Sequence, residues 1–149
     1  MTQIRTSRFG VVTLDETEII QIKRGLIGFP QHTRFAVINP GPDSALFWLQ
    51  SVDDPELAFV IASPYLFEPE YHLNFGPGVL VELEAEDPKD LVVYVLVTIP
   101  QGRPEAMTAN LIGPLIINPR ASLAEQLVVE ESPYSHKHPI FRGRKEQNE

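Results

Sequence analysis

Cysteine is absent from the 149-residue chain. Its absence excludes a disulfide framework, a thiolate nucleophile, a cysteine zinc site and an iron–sulfur centre, and it suits a reducing compartment. Long hydrophobic runs are missing too. The longest, Leu91 to Ile99, is nine residues counting Tyr94 and Thr98, far below the roughly 20 that a spanning helix needs. The first twenty residues carry Arg5, Arg8, Asp15, Glu16 and Glu18, so no basic stretch precedes an apolar one as in a secretory signal. A soluble, cytoplasmic protein with no membrane partner is expected. Sustained helical periodicity is lacking as well; the best candidates, Asp87–Asp90 and Ser122–Gln126, are about one turn each.

Basic charge is scarce in one place only. Residues 1–52 hold five basic and four acidic groups and residues 91–149 hold six of each, whereas residues 53–90 set ten acids against Lys89 alone. The net charge of −8 therefore originates in Asp53, Asp54, Glu56, Glu68, Glu70, Glu82, Glu84, Glu86, Asp87 and Asp90. Such a segment repels phosphate backbones, which argues against direct nucleic-acid binding and for attraction to a basic protein. A solvated face kept for solubility is the plainer reading of the same charges.

Proline is abundant instead, at 14 residues, nearly double the usual share of about 5%. The prolines punctuate the whole chain. Between them lie strand-length runs at Ile19–Lys23, Arg34–Asn39, Leu46–Val52, Leu57–Ser63, Val79–Glu84, Leu91–Ile99, Met107–Asn118 with a break at Gly113-Pro114, and Glu125–Glu130. Alternation in Val79–Glu84 predicts a half-buried antiparallel strand with Val79, Val81 and Leu83 inward and Glu82 and Glu84 outward. Leu91–Val97 is apolar on both faces and reads as a central strand. In Leu46–Val52, Phe47 and Leu49 are expected to be the better buried pair, with Trp48 partly exposed. Turn signals recur at the rhythm of a sandwich or barrel. The fold class is all-β, a small antiparallel barrel-like domain over residues 1–141 with a few short helical turns and a polar, frayed tail at 142–149.

Catalytic constellations do not assemble in the sequence. His136 and His138 have no third ligand at a metal-site spacing. Asp53-Asp54 and the Glu68/Glu70 pair flank prolines, where acids serve turns more often than proton transfer. Ser51 or Ser63 with His32 or His72 lacks a nucleophile elbow. Gly25-Leu26-Ile27-Gly28 has no lysine of a phosphate loop, so its glycines predict a tight turn. Neither an enzyme nor a cofactor is expected. Asn110 and Asn118 interrupt an apolar pair of strands, and an amide in such surroundings has to bond backbone.

Taken in order, Phe9-Gly10, Gly25-Leu26-Ile27-Gly28-Phe29-Pro30, Phe47-Trp48-Leu49-Gln50-Ser51, Leu57-Ala58-Phe59 followed by Pro64, Tyr71, Met107-Thr108-Ala109-Asn110-Leu111, Pro114-Leu115-Ile116-Ile117-Asn118, and Gln126 leading to Tyr134 resemble the flagellar assembly factor FliW family. The resemblance covers roughly residues 3–141. In place of the glutamine-rich turn common after the second asparagine, this chain has Ser122-Leu123-Ala124-Glu125-Gln126.

The resemblance implies a chaperone-like binding protein without enzyme activity and with two partners. One is flagellin, through its C-terminal helical region; the other is CsrA, an RNA-binding dimer that represses flagellin translation and is antagonised non-competitively. Partner-binding candidates are Glu82, Glu84 and Glu86 from the acidic segment and Phe29, Tyr71 and Asn110 from the family-like stretches. An acidic segment docked beside an RNA groove would raise the cost of bringing in phosphates over about one Debye length, ~8 Å. Two other classes remain open on the residues alone. One is a β-barrel enzyme joining Asp53, Glu68 or Glu70 with a histidine; the other is an acidic chaperone-like module for a secreted helical protein with no translational role.

Overall fold

The computed structural model describes residues 1–74, 76–129 and 133–140; the 142–149 tail and the domain limit at Phe141 lie outside them. A hairpin opens the chain, β1 (Thr2–Thr6) against β2 (Gly10–Leu14). A 3₁₀ turn at Glu16–Glu18 follows, capped reciprocally by the Asp15 and Glu18 side chains, the arrangement that satisfies orphan amides at a helical start. Next come β3 (Ile19–Ile22), β4 (Arg34–Ile38), β5 (Leu46–Ser51) and β6 (Ala58–Ala62). A helix α1 (Pro77–Glu82) precedes β7 (Val92–Thr98), β8 (Thr108–Ala109), β9 (Leu115–Asn118), β10 (Leu123–Gln126) and β11 (His138–Pro139).

Pairing runs β3–β4–β5–β6–β7, and β7 closes on β9, which returns through β10 to β3. The result is a closed barrel of 7 strands. Every barrel pair is antiparallel except β10 with β3, which is parallel. This modifies the purely antiparallel expectation, and parity explains it: strands around a ring of odd number cannot all alternate in direction.

The lumen is filled by Ile20, Ile22, Leu26, Phe35, Leu49, Ile61, Leu115, Ile117 and Ala124. As expected, Leu49 is fully buried and Trp48 half-buried, but Phe47 is only half-buried beside Leu49. Trp48 lies on the outer face, under the β1–β2 turn, where the Phe9 ring meets it edge-on and the Arg8 guanidinium stacks 4.4 Å from its ring centre. The hairpin itself escaped the sequence reading because Ile4 and Leu14 are its only fully buried apolar residues. Outer residues of β7, Val93, Val95 and Val97, form a second core with Tyr71, Leu83, Met107 and Leu111. β7 is central, as expected, with β6, β8 and β9 as partners.

Two expected elements are corrected. Val79–Glu84 is not a strand but most of α1 and its C-terminal turn. Gly76 caps the start and Pro77 sits in the first turn, where a missing N–H costs nothing. The same apolar residues satisfy a helical period: Val79 and Leu83 pack into the second core, Leu80 is half-buried, and Val81, predicted inward, is 75% exposed. Ser122–Gln126 is not a helical turn but β10, because its backbone finds β9 on one side and β3 on the other. The Glu125–Glu130 run starts earlier than expected, at Leu123, and continues past the strand through Leu127 N–H to Pro114 O and Val129 N–H to Ile112 O. Glu130 lies outside the described residues.

Candidate functional site

The Gly25–Pro30 loop leaves the barrel at the end of β3. It is the tight turn the glycines predict: Gly25 has φ +67°, and a side chain there would strike Phe29 O at 2.5 Å. Phe29 N–H donates to Leu26 O at 2.7 Å, which tucks Leu26 into the lumen and leaves Ile27 and Phe29 at the surface. The Phe29 ring packs edge-on against Phe59 at 5.1 Å and near His32. Gln126 ties this loop to another: its Oε1 accepts from Ile27 N–H at 2.7 Å and its Nε2 donates to Gly113 O at 2.9 Å. Asn110 shapes that second loop, its Oδ1 accepting from Ile112 N–H. It bonds backbone as expected, but it is only half-buried.

Tyr71 is placed differently from the other candidates. Only 4% exposed, it donates its hydroxyl to Leu111 O at 2.6 Å and packs on Tyr134. Burial pushes its phenol far above the ordinary value, with the charges of Tyr134 and Tyr65 adding to the effect. Its ring works from beneath the surface, holding the chain after Pro64–Leu66 against the loop at Leu111.

The acidic segment is distributed over the fold. Asp53, Asp54 and Glu56 stand in the β5–β6 turn, where Arg34 bonds both Asp53 oxygens and holds that carboxyl below its ordinary value. Glu68 lies 3.9 Å from buried His138, which stacks on Phe67. That contact does join a carboxylate to a histidine, but His136 is exposed and His138 buried, and among the described residues no group of three His, Cys, Asp or Glu side chains is placed to hold a metal ion. Asp53 is engaged elsewhere, with Arg34.

Around the end of α1 the carboxylates do collect. Glu84, Glu86 and Asp90 line a hollow of about 300 Å³ with Asn118, Arg120 and Ala121. Asn118 is its hinge: Nδ2 donates to Leu83 O at 2.7 Å and Oδ1 accepts from Arg120 N–H, so one buried amide fixes α1 to β9. Glu84 occupies the left-handed region at φ 55°, closing the helix through Ala85 N–H to Leu80 O at 2.8 Å, a terminus that glycine usually provides. Glu84 and Glu86 are exposed as expected, but Glu82 bonds Arg24 at 3.0 Å. The sequence reading missed Arg120 beside this hollow and Arg24 and Glu125 beside Glu82; a basic pair directly after a strand, Lys23-Arg24, was the available signal for the second group.

Apolar and amide-bearing loops at the surface of a closed barrel, together with a charged hollow held by backbone bonds, define a protein of small β-barrel architecture. The profile of the FliW protein family matches residues 3–140. The chain is 42% identical to the flagellar assembly factor FliW of Treponema denticola over 140 residues, covering 93% of each protein. It is 38% identical to that of Moorella thermoacetica over 141 residues, 94% of this chain and 89% of the relative. A crystal structure of the flagellar assembly factor FliW superposes with a TM-score of 0.85 at 27% identity, over 93% of this chain and 96% of that one. The chain belongs to the FliW family of flagellar assembly factors.

Proposed function

We propose that this protein binds flagellin and, in the cytoplasm, antagonises the translational regulator CsrA without competing for its RNA groove, relieving repression of flagellin translation. It acts as an assembly chaperone and not as an enzyme. Membership of the family over residues 3–140 is the observation that carries the reading. Among the described residues no helix is long and apolar enough to cross a membrane.

Geometry adds two surfaces that fit two partners. Phe29 and Ile27 present apolar area on a loop braced by Gln126, with Asn110 and the ring of Tyr71 holding the neighbouring backbone; such area suits the apolar face of a helix from flagellin. Glu84 and Glu86, with Asp90 beside them, present concentrated negative charge to a basic RNA-binding protein. Once docked, these carboxylates raise the local cost of a phosphate backbone within about one Debye length, ~8 Å at physiological salt.

Size-exclusion of the purified protein with CsrA, with flagellin and with both tests the reading. Co-elution with each partner alone is expected. Co-elution with flagellin but never with CsrA would identify an acidic chaperone-like module without a translational role. The charge mechanism has its own test in Glu84→Lys with Glu86→Lys, which leaves the Glu82 contact to Arg24 intact. CsrA bound to this variant should regain RNA affinity, and the wild-type effect should fade as salt rises. Undiminished antagonism at every salt concentration would assign inhibition to shape.

A further inference from the structure

Between the end of β3, the end of α1 and β10 lies a cleft of about 220 Å³, distinct from the acidic hollow beyond Asn118. Its floor is apolar, made of Ile22, Leu83, Leu123 and Ala124, and its rim carries Lys23, Arg24, Glu82 and Glu125. The charges on this rim are unequally matched. Lys23 directs its ammonium at a backbone carbonyl, Glu82 O, at 3.5 Å. Among the described residues Arg24 alone reaches the carboxylates, at 3.0 Å from Glu82 Oε1 and 3.6 Å from Glu125 Oε1. Its side chain is 75% exposed while that of Glu125 is 17% exposed, so a solvent-exposed cation faces a largely buried carboxylate.

Glu125 is the under-compensated member. Its Oε2 is closed off from solvent and has no hydrogen-bond partner among the described residues, an arrangement that costs free energy in a buried carboxylate. Burial accordingly pushes its carboxyl above the ordinary value, the neighbouring Glu82 carboxylate adds to the shift, and Arg24 and Lys23 oppose it. An exposed ion pair such as Arg24 with Glu82 contributes little and exchanges readily. Two carboxylates above an apolar floor match one kind of side chain: a planar guanidinium on a methylene stem, the stem lying on the floor and the fork bonding the acids.

We infer that this cleft is a receptor for one arginine side chain of a partner protein, with Arg24 holding the place until the partner's guanidinium displaces it. The inference rests on the reading that one partner is the basic protein CsrA, and it assigns that partner a contact away from the Glu84 and Glu86 hollow. Glu125 is the anchoring acceptor and Arg24 the internal competitor.

The test has two arms on the full chain. In the first, agmatine, a free guanidinium on a short stem, is titrated while backbone amide and glutamate carboxyl resonances are followed by NMR. Shifts centred on Gly25, Leu123, Ala124 and the Glu125 carboxyl are expected; Glu125→Gln should abolish them, and Arg24→Ala should bind agmatine at least as tightly as the parent. Equal shifts in Glu125→Gln, shifts confined to other surfaces, or weaker binding by Arg24→Ala would overturn the cleft. In the second arm the same variants, checked for folding by thermal unfolding, are measured against CsrA by calorimetry. Glu125→Gln should bind about tenfold more weakly and Arg24→Ala no more weakly than the parent. Unchanged affinity in Glu125→Gln overturns the assignment to this partner. If agmatine binds as expected while the parent protein does not bind CsrA at all, the functional reading fails and the guanidinium cleft stands.

Discussion

Leu49 in the barrel lumen and Val81 on the barrel flank are both apolar residues in short runs of β-branched, leucine and polar side chains. Leu49 is fully buried, and Val81 is 75% exposed. In the lumen every strand has a neighbour on both sides, so inward residues from β3, β4, β5, β6, β9 and β10 converge on one core. On the flank, α1 has no strand neighbour; its backbone bonds within itself and it packs on the barrel through Val79 and Leu83. Burial in the first region follows from the pleat, and in the second from one buried amide and one buried leucine.

That contrast is sharpest in the cost of truncation. Leu49→Ala should lose about 2–5 kcal/mol in urea unfolding, since a lumen filled from seven directions cannot collapse onto the void. Val81→Ala, on the solvent side of α1, should stay within about 0.5 kcal/mol. A loss below half a kcal/mol at Leu49 would remove the distinction between the two regions.

Asn118→Ala probes the joint between them. It deletes the donor to Leu83 O and the acceptor of Arg120 N–H, and should cost about 1–3 kcal/mol because the Leu83 carbonyl is left buried. Hydrogen exchange should then quicken in residues 77–85 and leave β5 protected, which marks the flank as the part released. Uniform loss of protection would show instead that flank and lumen open as one unit.

A smaller gain is expected where the flank is strained. Glu84 takes a left-handed conformation that costs a residue with a side chain about 1 kcal/mol. Glu84→Gly should therefore raise stability by up to about 1 kcal/mol in thermal unfolding, less whatever the freer unfolded chain regains.

The smallest effects are electrostatic, and they have opposite signs. Glu125, at the flank–barrel seam, has a native carboxyl raised above 4.5 by burial first and by Glu82 second. The native state thus binds this proton more tightly than the unfolded chain does. Its contribution to stability rises as pH falls through the raised native value and levels off below about 4.5. Glu125→Gln should be more stable than the parent at neutral pH and lose that advantage in acid. Asp53, at the barrel's own turn, is held below 3.8 by the hydrogen bond from Arg34. Its contribution is present above 3.8 and disappears as pH falls through the depressed value, so Asp53→Asn should be slightly less stable at neutral pH and equal to the parent in strong acid. Unfolding midpoints measured across pH 2–8 check both; parallel curves for the two variants would contradict the assignment of one carboxylate to each regime.

Legibility followed the same division. The runs at Arg34–Asn39, Leu46–Val52 and Leu57–Ser63 appear within a residue or two as β4, β5 and β6, because short runs rich in strand-forming side chains and the turn formers at each end are local properties of the chain. The turn at Gly25–Gly28 and the backbone role of Asn118 were legible for the same reason: each follows from what one residue type requires. Val79–Glu84 was ambiguous, since Val79 and Leu83 are spaced for either period over so short a run, and Pro77 at the helix start decided it only once Leu83 had a core to enter. Gln50 escaped notice as a core residue; it is fully buried, and its amide nitrogen faces the carbonyls of Ser51, Asp54, Pro55 and Leu57, a set that exists only when the β5–β6 turn has closed.

By itself the sequence determined the β character, the family and the concentration of acid in residues 53–90, all of which reside in composition, local period and motif order. Only the tertiary structure decided that seven strands close with one parallel pair, that the acids divide among three places, and that Glu125 meets Glu82 and Arg24 in one cleft. Contacts between residues 24, 82 and 125 depend on barrel closure and on α1 docking, and no local pattern encodes the distance between segments so far apart along the chain.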